Sequence, residues 1–190
     1  MKNKLLLIID PQVDFITGAL PVAGAENAMN ALAEYIRSHN RDYSHIIVTA
    51  DRHPMRHCSF STEGGEWPVH CVSDSVGAAI WPDIMDVLLI APDKVKVLHK
   101  GEDPLREEYS IFKNYASKES ILRILAENGI EEIDICGLAG DVCVSDTILD
   151  GLALELPQKI NVLTEFSPSI DGGNTLDAII SNNALSSDRK

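Results

Sequence analysis

The sequence predicts an α/β protein of the three-layer α/β/α kind, built on a central, mostly parallel sheet. Two observations carry this. Apolar runs of strand length recur along the chain, and segments with helical periodicity separate them, the alternation that parallel crossover folds require. A third observation bounds the size: 190 residues, 45 % of them hydrophobic, supply one sizeable core, so residues 1–190 are read as a single domain.

The first strand is Lys4 to Ile9, a run ended by Asp10. A helix follows from about Ala25 to Ser38, with Ala28, Leu32, Tyr35 and Ile36 on one face. Strands are read at His45 to Thr49, Lys94 to His99, Glu132 to Cys136 and Lys159 to Leu163. Ser117 is taken as the N-cap of a helix through Asn128, with Gly129 as its left-handed stop. Further helices are expected at about Asp141 to Leu154 and Thr175 to Leu185. Two segments, Asp51 to Asp93 and Gly101 to Ala116, break the rhythm, although Val76 to Leu89 has room for a short helix. Irregular stretches of that length in a compact domain usually carry function.

Charge narrows the partners. Sixteen Lys and Arg against 29 Asp and Glu leave a formal net charge of −13, and no basic run exceeds two residues. Nucleic acid and anionic membrane surfaces are therefore not expected as partners. The opening Leu5–Ile9 run is too short for a signal peptide, and no other run approaches spanning length, so a cytoplasmic protein is expected. In that compartment the four cysteines (Cys58, Cys71, Cys136, Cys143) are read as thiols rather than disulfides.

In parallel sheets, ligands bind beyond the carboxyl ends of the strands. Four strands here run into chemically useful residues: Asp10; Asp51-Arg52-His53; Lys100; and the turn Gly137-Leu138-Ala139-Gly140-Asp141-Val142-Cys143. Alone, Asp10 reads as a turn cap, Lys100 as a solvated cation and Cys143 as a small buried hydrophobe. On one sheet edge they become a reactive set. A cysteine in a glycine-rich strand-to-helix turn, beside a lysine, is expected to gain thiolate character. A second set, Asp51, His53, His57 and His70, offers one carboxylate and three imidazoles, which suit zinc, iron or manganese. Cys58 and Cys71 neighbour two of these histidines and leave a mixed Cys/His zinc site open as an alternative. Phe15 and Trp67 are core residues by default and stacking surfaces for a flat aromatic substrate if they line a site.

Taken together these residues resemble the nicotinamidase branch of the isochorismatase-like cysteine hydrolases, from about Leu5 to Asp150. The matching motifs are Asp10-Pro11-Gln12-Val13-Asp14-Phe15, then Asp51-Arg52-His53 through His57-Cys58-Ser59-Phe60, then Trp67-Pro68-Val69-His70-Cys71. Lys100-Gly101 through Tyr109-Ser110-Ile111-Phe112 and the Gly137–Val144 turn complete the set, in order. The resemblance implies an Asp10, Lys100 and Cys143 triad and a single divalent metal, zinc first with iron or manganese as alternatives, on Asp51, His53, His57 and His70. It implies a cis peptide between Leu138 and Ala139, with the N–H groups of Ala139 and Cys143 as an oxyanion hole. It implies hydrolysis of a small aromatic amide, nicotinamide, between Phe15 and Trp67; a homo-oligomer is also expected. Val13, Arg52 and Gly140 depart from the family's common residues, a polar residue, an aromatic and a threonine, and bear on the pocket rather than the chemistry. The rivals are a related amidase acting on another small amide and a non-catalytic zinc-binding module on the same fold.

Overall fold

In a computed structural model, which describes residues 3–188, six parallel strands form one sheet in the order β3-β2-β1-β4-β5-β6. They are β1 (Lys4–Ile9), β2 (His45–Asp51), β3 (Val95–Lys100), β4 (Glu132–Gly137), β5 (Lys159–Val162) and β6 (Ser186–Ser187). The helices are α1 (Val13–Ile16), α2 (Ala25–His39), α3 (Pro82–Leu88), α4 (Tyr115–Glu127), α5 (Ser145–Ala153) and α6 (Asn174–Asn182). The three-layer fold expected from the alternation is the observed one.

Both sheet faces are covered, and the two-residue period of the strands sorts the core between them. Leu6, Ile8, Ile46 and Val48 point into the layer formed by α2 and α3, where they meet Met29, Leu32, Ile84 and Val87. Leu5, Leu7, Ile9 and Ile47 point the other way, onto Ile121 and Leu125 of α4, Ile148 of α5 and Leu176 of α6. Burial on both faces explains why β1 reads as an unbroken apolar run rather than an alternating one.

The order of the strands places the site. It reverses direction between β1 and β4, the topological switch point where open α/β sheets bind ligands. Asp10 leaves β1 on one side of that crevice and the Gly137–Cys143 turn leaves β4 on the other, with Ile9 and Gly137 paired in register. Next door, β2 ends two residues and β3 one residue later than the spacing suggests, and their last residues, Asp51 and Lys100, are register partners.

Several boundaries differ from expectation for local reasons. The cap of α4 is Asn114, whose side chain accepts the N–H of Ser117 at 3.1 Å; Ser117 lies inside the first turn and donates its hydroxyl to His99 O at 2.7 Å. Gly129 does close that helix region with φ +57°. The segment read as one helix from Asp141 is a π-helical turn, Gly140–Val144, followed by α5. The last helix stops at Asn182, and the chain then adds the two-residue strand β6, too short to leave a hydropathy signal. The four-residue α1 was invisible for the same reason, whereas the short helix expected between Val76 and Leu89 is α3.

Candidate active site

Four strand ends and two loops meet over the switch point. Asp10 turns out of β1 with φ +46°, a left-handed conformation that aspartate tolerates better than most side chains. Its Oδ1 accepts the Thr49 hydroxyl at 2.6 Å and its Oδ2 lies 2.9 Å from Lys100 Nζ. Lys100 Nζ also lies 2.6 Å from Asp51 Oδ1 and 3.6 Å from Cys143 Sγ. With side chains at 1 % and 0 % exposure, Lys100 and Asp10 form a fully buried ion pair. One ammonium thus answers two carboxylates and a thiol.

Burial and this balance of charge together shift all three groups. Burial alone would strip the proton from Lys100, but Asp10 and Asp51 hold its ammonium well above the usual range. Burial raises the Asp10 carboxyl; Lys100 opposes the shift and Asp51 adds to it. For Cys143, burial together with Asp10 and Asp51 outweighs Lys100 and pushes the thiol well above its ordinary value. The gain in thiolate character expected from the lysine is thus opposed, first by burial and then by the two carboxylates, and the Cys143 proton needs an acceptor.

Asp51, His53 and His70 bring one potential ligand atom each within 4.8 Å of one another. His53 Nδ1 donates to Gly101 O at 2.9 Å and His70 Nδ1 to Pro68 O at 2.7 Å. A carbonyl can only accept, so both rings keep Nε2 free as a lone-pair donor, the arrangement that metal-bound histidines require. Burial pushes His53 down to about 3, so it is neutral, as a ligand must be. These donors fit a divalent cation. His57 is turned otherwise: its Nδ1 accepts the Ser59 N–H at 3.2 Å, and its Nε2 donates to Arg106 O at 3.2 Å. It stacks on His53 at 4.1 Å between ring centroids but stands outside the three-residue group. Neither Cys58 nor Cys71 joins a cluster among the described residues, and all four cysteines are free.

A small pocket, partly open to solvent, reaches the thiol; Phe15, Trp67, His70, Ala139 and Cys143 line it. The Leu138–Ala139 peptide is cis, as the resemblance implies. Ala139 and Cys143 both line the pocket, and most of the remaining lining is apolar, Leu20, Val22 and Val142 among it.

Sequence reasoning left out the residues that hold this set in place. Gln12, fully buried, accepts the Asp51 N–H at 2.7 Å and donates to Asp51 O at 2.8 Å and Ala78 O at 2.9 Å. Asp14 accepts the Cys71 N–H at 2.7 Å and the Ala19 N–H at 2.9 Å, fixing the backbone beside His70. Glu108 accepts the Gly101 N–H at 2.9 Å, and Gly101 has no room for a side chain: a Cβ would lie 2.5 Å from the His53 ring. Phe60 packs within 5.8 Å, between centroids, of all three imidazoles. Tyr109 accepts the Trp67 indole N–H at 2.9 Å and lines the pocket with Glu107, whose carboxyl burial and Asp51 raise. Gln12, Asp14, Phe60 and Tyr109 sit inside the motifs quoted above, so the signal was present but without an assigned job.

Fold and pocket define the class of protein: an α/β enzyme with a buried thiol, carboxylate and ammonium under a small aromatic-lined pocket. An isochorismatase domain model matches residues 4–157. The nicotinamidase of Escherichia coli K12 is 34 % identical over 186 residues, covering 87 % of this chain and 83 % of that protein. The structure of the Pyrococcus horikoshii pyrazinamidase in complex with zinc superposes with TM-score 0.82 at 30 % identity, covering 97 % of this chain and 98 % of that one. The yeast nicotinamidase bound to the inhibitor nicotinaldehyde superposes with TM-score 0.85 at 26 % identity, over 98 % and 100 % of the two chains. The chain belongs to the isochorismatase family, in its nicotinamidase branch, and is an amide hydrolase.

Proposed function

We propose that the protein hydrolyses nicotinamide to nicotinate and ammonia through a thioester on Cys143. The observation that carries the reading is the convergence of Cys143 Sγ, Lys100 Nζ and the Asp10 carboxylate under an aromatic-walled pocket that also exposes His70.

In this reading Asp10 takes the Cys143 proton as sulfur attacks the carboxamide carbon. The N–H groups of Ala139 and Cys143 hold the oxyanion. Asp10 then returns the proton to nitrogen, the C–N bond breaks, and ammonia leaves a thioester behind. Water attacks the thioester, giving its proton to Asp10; the C–S bond breaks, nicotinate departs and the thiol is restored. Lys100 stays charged throughout and holds the carboxylate and sulfur at fixed separation. Phe15 and Trp67 flank the ring.

Asp51, His53 and His70 would hold a divalent cation, zinc by their chemistry and iron or manganese as alternatives, with His57 as a fourth ligand if its ring leaves Arg106. When bound, the cation supplies a Lewis-acid anchor for the pyridine nitrogen, directly or through water. A role in pyridine nucleotide salvage, a cytoplasmic location and a homo-oligomer are part of the same proposal; no described helix is long and apolar enough to cross a membrane.

An amide panel with metal quantified on the same sample tests the reading. Nicotinamide is expected to be turned over far faster than aliphatic amides. A metal-loaded protein that prefers an aliphatic amide, or that releases ammonia from none of the panel, contradicts the proposal.

A further inference from the structure

One residue of the pocket lining comes from beyond the segment that the isochorismatase domain model matches. Ile170 lies beyond residue 157, where the isochorismatase match ends, yet it lines the same pocket as Phe15, Trp67, Val142 and Cys143. Its side chain is 54 % exposed, so core packing does not account for its place. The backbone does. Asp141, two residues before Cys143, accepts the Ile170 N–H on Oδ1 at 2.9 Å and the Asp171 N–H on Oδ2 at 2.8 Å. One residue earlier, Gly140 donates its N–H to Pro168 O at 2.9 Å. A Cβ on Gly140 would lie 2.5 Å from Ser167 O and 2.3 Å from Ser169 Oγ, so a bare backbone is what lets this segment lie against the nucleophile turn. At its far end Asp171 accepts the N–H groups of Gly173 and Thr175, each at 2.8 Å, which ties the segment to the start of α6.

We propose that Ile170, held over the pocket by the Asp141 carboxylate, is a specificity-determining residue that admits small unsubstituted heteroaromatic amides and turns away rings carrying a substituent on that side. The inference rests on the amidase reading of the Cys143 site and deepens it. Ile170 acts by filling space: in an apolar pocket, one methylene group too many or too few changes kcat/KM by about tenfold or more. Asp141 touches only backbone N–H groups of the segment and is a positioning residue for it.

The test assays the wild-type protein, Ile170→Ala and Asp141→Ala, each with metal content measured, on nicotinamide and on nicotinamides methylated at each ring carbon. Both variants are expected to raise the kcat/KM of at least one methylated amide relative to nicotinamide by about fivefold or more. Ratios within about twofold of wild type at every ring position in Ile170→Ala overturn the wall. A shift in Ile170→Ala with none in Asp141→Ala overturns the tether. If the wild-type protein hydrolyses no pyridine carboxamide, the functional reading fails by itself, and the wall is read from the labelling of Cys143. Ile170→Ala should then speed labelling by an N-aryl iodoacetamide relative to iodoacetamide, and an unchanged ratio overturns it.

Discussion

In the proposed mechanism Asp10 carries more of the chemistry than its position as a strand-end aspartate suggests. It is buried, shares Lys100 with Asp51, and its carboxyl is raised first by burial and then by that second carboxylate. The sign follows directly. The base form is lost as pH falls through a value above the ordinary aspartate value of about 3.9, so the acid limb of kcat/KM should lie above that value. A pH–rate profile checks it; a limb at or below about pH 3.9 would remove Asp10 as the proton acceptor. Asp10→Asn should lower kcat by roughly 100- to 10,000-fold, the usual worth of a positioned proton carrier. The sequence made Asp10, Lys100 and Cys143 legible because each ends or follows a strand, but not their charge balance. Asp51 was read as a metal ligand, and only the β2–β3 register shows that it also faces Lys100.

At the scale of elements, α1 is the part that ties the site together. Four residues long, it follows Gln12 and contains Asp14, and these two clamp the backbones of Asp51 and Cys71 from one short turn. Gln12→Ala leaves the buried N–H and C=O of Asp51 without these partners and should cost roughly 1–3 kcal/mol in a denaturation experiment. It should also weaken metal binding by the apoprotein, since Asp51 then loses its fixed direction. Unchanged stability and unchanged affinity would show that the clamp is idle. Gly101 belongs to the same scale. Its φ of +71° and the nearness of the His53 ring predict that Gly101→Ala displaces His53 and lowers metal content, measured by elemental analysis. Strand and helix cores were legible from their periods. The supports were not, because a buried glutamine clamping a strand end leaves no periodic signal, and Glu108 sits in a loop that the period leaves blank.

For the whole molecule, the doubly wound sheet explains why residues spread from Asp10 to Cys143 meet. Co-location at one sheet edge was readable because parallel strands share an end; which strands are neighbours was not, since the order β3-β2-β1-β4-β5-β6 has no sequence signature. The segment after Leu163 carried little family pattern, yet it supplies Ile170 to the pocket and β6 to the sheet. A bound cation joins this assembly by linking β2 to the His70 loop, so its removal should be felt globally. At a metal concentration about 100-fold above Kd the linkage is worth about 2.7 kcal/mol, a melting temperature roughly 5 °C or more higher with zinc than after chelation. Equal melting temperatures would argue that Asp51, His53 and His70 hold no ion.

The most direct measurement compares ammonia release from nicotinamide by the wild-type protein and by Cys143→Ala, with metal quantified in both samples. The account predicts ammonia and nicotinate in equal amounts from the wild type, and no turnover from Cys143→Ala at unchanged metal content. Near wild-type ammonia release from Cys143→Ala would contradict it.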